Sequence, residues 1–262
     1  MIDDFVQTCN KKIDEAFYYV NLQAESQRNG CENMLKTSLN SAGNAINNSN
    51  FNVRTSTFDL RDIINIAYSY ESPNTEWDKL GEDKDIKVWR ARVPITKGLG
   101  KGSERWPVVK STTTINGSPE SIMKLLMDSS KVHKTNKYSA GRTDVLKINE
   151  FTKMVWSRTK IPYSIKPYDF CTLMQVSKLN NGGLMIISKG IEHELVPKHQ
   201  DYCRSEIYFG VNFLYPVPDD PNRTSFTSIS HVRYAGLHPY IASKTVYSAT
   251  LNYLKQLKEN FV

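Results

Sequence analysis

The sequence predicts an α+β domain, a curved antiparallel sheet of about nine strands with a long C-terminal helix free to lie across it. Three observations predict it. From Trp77 onward, short runs rich in β-branched and aromatic residues alternate with Gly, Asn and Pro breaks, as strands and turns do. One internal stretch, residues 118–127, reads instead as a helix. The last stretch, from about Pro239 to Phe261, sets Tyr247, Leu251, Leu254, Leu257 and Phe261 along one side at helical spacing.

Taken in order, residues 1–39 carry Phe5, Cys9, Ile13, Phe17 and Val20 at helical spacing. Residues 40–52 are mostly Asn, Ser and Gly, with little to bury. Residues 1–52 are therefore an expected helical extension and linker, and 53–262 the main domain. Thr57 is the expected cap of an amphipathic helix running to about Tyr70 and ended by Pro73. Strands are expected over 77–81, 86–93 and 106–115. Ser118 then caps a helix with Pro119 at its first position. Further strands are expected over 141–153, 154–160, 168–176, 184–193, 203–216 and 224–234, with turns at 180–183 and 218–222. The connection 161–167 is longer than a tight hairpin needs and carries apolar Ile161, Tyr163 and Ile165. An apolar loop beside a sheet usually covers something.

Composition and motifs narrow the function. The chain of 262 residues has no apolar run long enough to span a membrane, and its opening residues are acidic where a signal peptide is basic. A soluble protein is expected, cytoplasmic by default, and secreted or exported if a targeting segment precedes it. Cys9, Cys31, Cys171 and Cys203 are far apart, so reduced thiols and no zinc site are expected. The net charge of +7 favours anionic partners. Its Lys and Arg are spread along the chain rather than clustered, so transient attraction to a membrane surface fits better than nucleic acid. Residues 98–103, Gly-Leu-Gly-Lys-Gly-Ser, miss the phosphate-loop spacing and read as a hairpin loop. His193, Glu194 and His199 miss the metalloprotease spacing, and Pro197 breaks any helix between them. No nucleophile elbow or paired carboxylate set is found, so no catalytic residues, metal or cofactor are expected.

Several landmarks fall together in a specific order. They are Asp85-Ile-Lys-Val-Trp89, Tyr168-Asp-Phe170, the run Ser188 to His193 with Pro197, Cys203-Arg-Ser-Glu206 and Tyr247-Ser-Ala-Thr-Leu251. From about Glu76 to the C-terminus the chain resembles the START (StAR-related lipid-transfer) domain, whose helix-grip fold encloses a tunnel for one lipid. Within the family it is most similar to the phosphatidylcholine-transfer type. The resemblance implies a monomer that extracts a single phospholipid as its only ligand and carries it between membranes.

It also implies site residues. Trp156, Phe170 and Tyr208 fall on the positions of an aromatic cage for choline, a cation that aromatic faces suit. The same three also read as ordinary sheet aromatics. That type carries an Arg for the lipid phosphate where this chain has Val132. Arg158 is the expected replacement, on the same strand face as Trp156. Tyr247 matches a headgroup-contacting Tyr, or belongs simply to its helix's apolar stripe. Ile161, Pro162, Tyr163 and Ile165, with Leu251 and Leu254 of the last helix, form the expected lid. Alternatives are a lipid-sensing module that holds ceramide or sterol without transfer and, in another class, a cavity enzyme.

Overall fold

The computed structural model describes residues 60–262 apart from 73, 93, 96–98, 100–101, 161–165 and 180–181. The expected extension and linker over 1–52, the Thr57 cap, and Ile161, Pro162, Tyr163 and Ile165 of the expected lid lie outside the described residues.

Helix α1 (Leu60–Glu71) opens the described chain. The strands β1 (Trp77–Asp83), β2 (Ile86–Ala91) and β3 (Val108–Ile115) follow, then α2 (Pro119–Met127) and a short α3 (Val132–Thr135). Next come β4 (Ser139–Lys147), β5 (Thr152–Thr159), β6 (Tyr168–Lys178), β7 (Leu184–Gly190), β8 (Cys203–Arg204), β9 (Glu206–Val217) and β10 (Asp220–Arg233). Helix α4 (Pro239–Glu259) closes the chain. All strands join one ten-stranded sheet in the order β1-β2-β3-β10-β9-β7-β6-β5-β4, with β8 alongside β6. This is the expected helix-grip architecture.

The departures have local causes. The expected strand over 203–216 breaks at Ser205, so that Cys203–Arg204 pairs parallel with β6 while β9 runs antiparallel to β7 and β10. The buried Ser205 holds the break, its hydroxyl donating to the Cys203 carbonyl and accepting from the Ala235 amide. The expected strand start at Met154 moves to Thr152, because the chain reverses just before it and the Ile148 and Asn149 amides both donate to the Thr152 carbonyl. The expected turn over 218–222 shrinks to Pro218-Asp219, since Asp219 adopts the left-handed conformation (φ 64°) that Asp tolerates and a tight hairpin needs.

Alternation along the strands divides the sheet into two faces. The outer face carries Ala91, Val108, Met185, Ile187, Val211, Phe213 and Ile229, packed with Ile63, Ile66, Ala67 and Tyr70 of α1. The inner face carries Ile86, Val88, Val109, Ile115, Val155, Met174, Val176, Leu184, Ile186, Leu214 and Phe226. There it meets Ile122 and Leu126 of α2 and Leu254 and Leu257 of α4. Two contacts place α4 over the β1–β2 edge. Arg90 donates to Ser243 Oγ at 2.7 Å. The Tyr247 ring lies so close to Gly81 that a Cβ there would come within 2.7 Å of it. Lys258 closes the far end, donating to both Asp85 oxygens at 2.5 and 2.7 Å.

Candidate functional site

The inner face is not filled evenly. At the α2 end, Leu184, Leu214, Phe226 and Ile122 are buried. In the middle of the sheet the pattern changes. Cross-strand register sets Ser188, Gly210 and Ser230 in one row on β7, β9 and β10. The next row holds Asn212, Ser228 and Ser111 on β9, β10 and β3. Beside the first row, Thr172 of β6 lies opposite Gly190 of β7.

These strands are central, and their outward neighbours Ile187, Val211 and Ile229 are 0–1% exposed. Yet Ser188, Asn212, Ser228 and Ser230 are only partly buried. Their open surface lies on the inner face, the side on which α2 and α4 pack. Gly210 adds room by lacking a side chain, whereas Gly190 lets another strand's backbone approach. At Gly190 a Cβ would meet the Ile207 backbone at 2.9–3.0 Å. The result is a floor of hydroxyl and amide groups on the inner face, next to the apolar residues at the α2 end.

Its walls are aromatic and cationic. Phe170 and Tyr168 lie on the inner face of β6 and meet Tyr234 edge-on, at centroid distances of 5.9 and 5.4 Å. Arg142 of β4, opposite Ser157 in register, donates to Ser129 Oγ and the Leu126 carbonyl and lies 3.9 Å from Met174 Sδ. Burial lowers the Arg142 pKa below its ordinary value. Tyr253 of α4 feels this Arg, and burial pushes its phenol up to about 12. Tyr253 is nevertheless only partly buried by exposed area.

The structure does not bring the expected cage together. Trp156 and Arg158 point to the outer face. Trp156 packs with Met154, Cys171 and Val196, and its Nε1 donates to Asp169 Oδ2 at 3.0 Å. The Arg158 guanidinium lies over the Trp156 ring, 4.4 Å from its centroid, and donates to Thr143 Oγ1. Tyr208 is also on the outer face, because the ladder skips it: His231 pairs with Phe209 and Val232 with Ile207. It lies against His231 at 4.8 Å. Only Phe170 of the three faces inward, so Trp156, Phe170 and Tyr208 form no cage here, and Arg158 lies on the opposite face from the polar floor. Tyr247 faces inward over Gly81, its hydroxyl donating to the Glu82 carbonyl at 3.3 Å. Leu254 is fully buried in the packed end and Leu251 is partly buried against it, so neither hangs free as a flap.

Trp156 is therefore a packing residue in this arrangement. Trp156→Ala is expected to lower stability by about 3 kcal/mol, within the range for truncated aromatic side chains. Binding is expected to fall by a common factor across lipid headgroups, measured side by side in vesicle-binding assays. A loss confined to choline lipids would contradict this placement.

Sequence reasoning missed the floor: Thr172, Ser188, Asn212, Ser228 and Ser230. The available signal was slight: Asn212 between Val211 and Phe213 on β9, and Ser228 and Ser230 on either side of Ile229 on β10.

One large antiparallel sheet with a long C-terminal helix packed on one face is the START or helix-grip class of fold. Human StAR-related lipid transfer protein 5 shares it with a TM-score of 0.66 and 16% identity, over 76% of this chain and 92% of that one. Human STARD10 gives 0.63 and 16%, over 78% and 82%. A STAR-related lipid transfer protein from Xanthomonas axonopodis gives 0.60 and 16%, over 71% and 98%. No family model and no curated protein sequence matches the chain. Among the described residues, no helix is long and apolar enough to cross a membrane, and no group of His, Cys, Asp and Glu is placed to hold a metal ion.

Proposed function

We propose that this chain binds one lipid molecule in a chamber beneath α4 and carries it between membranes without altering it. The observation that supports this reading is the open floor: interior strand positions left partly exposed under a covering helix. A dry cavity with apolar ends and a few placed polar groups suits an amphiphile, whose chain and polar group need different surroundings. The shared fold supports it too, since the similar proteins are named as lipid transfer proteins. Thr172, Ser188, Asn212, Ser228 and Ser230 include no carboxylate, imidazole or thiol, so the floor offers no acid, base or strong nucleophile for chemistry on the ligand. The net charge of +7 suits brief contact with anionic membrane surfaces.

Phosphatidylcholine, the ligand suggested by the sequence resemblance, loses its cage in this geometry. The fold reading does not depend on that headgroup. The test is transfer of a fluorescent lipid from quenched donor vesicles to acceptor vesicles. A carrier gives a rate that rises in proportion to the concentration of the full chain. Saturable binding with no acceleration of exchange would contradict carriage and favour a module that holds its lipid as a signal.

A further inference from the structure

We infer that the face formed by residues 131–137 and Lys160 is where the chain docks on an anionic membrane leaflet. This inference rests on the lipid-carrier reading and adds to it the surface by which the chain meets a donor or acceptor membrane.

Lysines that look evenly spread in the sequence are gathered here by strand pairing. Residues 129–143 contain Lys131, Lys134, Lys137 and Arg142 and no carboxylate. Residues 151–168 contain Lys153, Arg158, Lys160 and Lys166 and again no carboxylate. The β4–β5 ladder sets the two segments side by side, with Ser139 opposite Thr159. Just past that pair the Lys160 amide donates to the Tyr138 carbonyl at 2.9 Å, which brings Lys160 beside Lys137. The Lys137 ammonium lies over the Tyr138 ring, 5.2 Å from its centroid. Arg142 and Lys153 turn inward to the Leu126 and Met127 carbonyls at the end of α2. Lys131, Lys134, Lys137 and Lys160 stay exposed.

Of these four, Lys131 pairs with Asp128 at 3.0 Å. Lys134, Lys137 and Lys160 have no carboxylate partner among the described residues. The other cations that border α4 are matched: on the β1–β2 hairpin Lys79 faces Glu82, Arg92 faces Asp78 and Lys255 faces Asp83. Glu259, the residue before Asn260, is the only carboxylate of α4, so the neighbouring helix adds little negative charge.

The shape of the face decides the partner. It is a surface patch of lysines, which attracts many headgroups of an anionic leaflet at once and needs no pocket. Nucleic acid fits it less well, since readout takes a helix in a groove or open aromatic faces for stacking. Helix α3 is four residues long, and Tyr138 is partly buried with Lys137 over it. The face also touches the covering helix. The Lys137 amide donates to Gln256 Oε1 at 3.0 Å, and Asn260 Nδ2 donates to the Lys134 carbonyl at 3.0 Å. A leaflet that grips these lysines therefore lies next to the helix over the proposed lipid.

The test is co-sedimentation of the full chain with phosphatidylcholine vesicles that contain or lack phosphatidylserine, at physiological ionic strength. The parent is expected to bind only the vesicles with phosphatidylserine. The Lys134→Ser/Lys137→Ser/Lys160→Ser variant is expected to bind them about a hundredfold more weakly, equivalent to about 3 kcal/mol, and to melt as the parent does. A Lys87→Ser/Lys147→Ser/Lys178→Ser control removes three exposed lysines elsewhere and lowers the net charge equally. It is expected to bind within about threefold of the parent, because charges far from the docked leaflet are screened. Equal losses in both variants would show that net charge alone attracts the leaflet, and would overturn the inference. Binding that neither variant weakens, or that is removed only by Tyr240→Ser/Ile241→Ser at the exposed start of α4, would also overturn it. So would a parent that ignores phosphatidylserine yet binds single-stranded RNA through these lysines. Mass spectrometry of lipid taken up by the repurified chain reads the carrier function separately. A chain that takes up lipid but fails these binding tests loses only the docking face. One that takes up no lipid loses the carrier reading, and the inference with it.

Discussion

Asp169→Ala is expected to lower the unfolding free energy by about 3–5 kcal/mol, as breaking a buried ion pair does. The carboxylate is wholly buried, and the Arg204 side chain beside it is 14% exposed. Oδ2 accepts from Arg204 Nε at 3.0 Å, Arg204 Nη2 at 2.8 Å and Trp156 Nε1 at 3.0 Å. Arg204 in turn donates to the Val196 and Pro197 carbonyls, and so ties the 191–202 connection to the outer face of β5 and β6. Alanine at 169 would leave a guanidinium in the interior with its counter-charge gone. Removing both partners should cost less than removing one, because no unpaired charge then stays behind. The Asp169→Leu/Arg204→Leu variant is therefore expected to be more stable than the sum of its single variants, read from urea unfolding midpoints. A change of under about 1 kcal/mol in Asp169→Ala, typical of an exposed pair, would show that the pair is solvated.

The second large effect is acid sensitivity through His231. This residue is 0% exposed on β10, with Nε2 2.9 Å from the Ser103 carbonyl and its ring against Tyr208. Burial pushes its pKa down to about 4, outweighing hydrogen bonds that act to raise it. The unfolded chain therefore takes up a proton more readily than the folded one. The His231 contribution is fully present above the unfolded pKa of about 6.5. It declines as pH falls towards about 4, where the folded ring also protonates. About 3 kcal/mol should be lost across that window. Asp85 acts in a lower range. Burial alone would raise its pKa, but hydrogen bonds from Lys258, Thr113 and Thr114 outweigh this and hold it below the ordinary carboxylate value. Its contribution is lost only as acid reaches the carboxylates. In unfolding curves from pH 7 to 4, His231→Gln should remove the slope between 6.5 and 4. A slope unchanged in that variant would assign the acid effect elsewhere.

Much of the architecture was legible in the sequence. Strand runs, turns and the apolar side of α4 follow from local composition, and local composition is what fixes them. The side of the sheet on which each residue falls was less legible. Trp156 and Arg158 do share a face, as their spacing requires, but it is the outer one. Only Val155, packed with Leu254 and Leu257, reveals which parity faces α4. Tyr208 is turned outward by the irregular pairing between His231 and Val232, and no residue in the run marks that irregularity. The floor was hidden for a different reason. Asn212 sits between Val211 and Phe213, and Ser188, Ser228 and Ser230 each adjoin Ile187 or Ile229, a pattern that residues facing water also show. Long-range packing of α2 and α4 on that face, rather than any local pattern, marks it as the inner one.

The central claim is that one lipid lies on this floor beneath α4. The most direct measurement is the mass of the intact, natively folded chain after exposure to mixed vesicles and repurification, beside a Ser228→Trp variant in which an indole fills the space. The expected result is a mass increment of one lipid per chain, absent from a Ser228→Trp chain that melts as the parent does. A parent chain of bare mass, or an equal increment in both chains, would contradict the account.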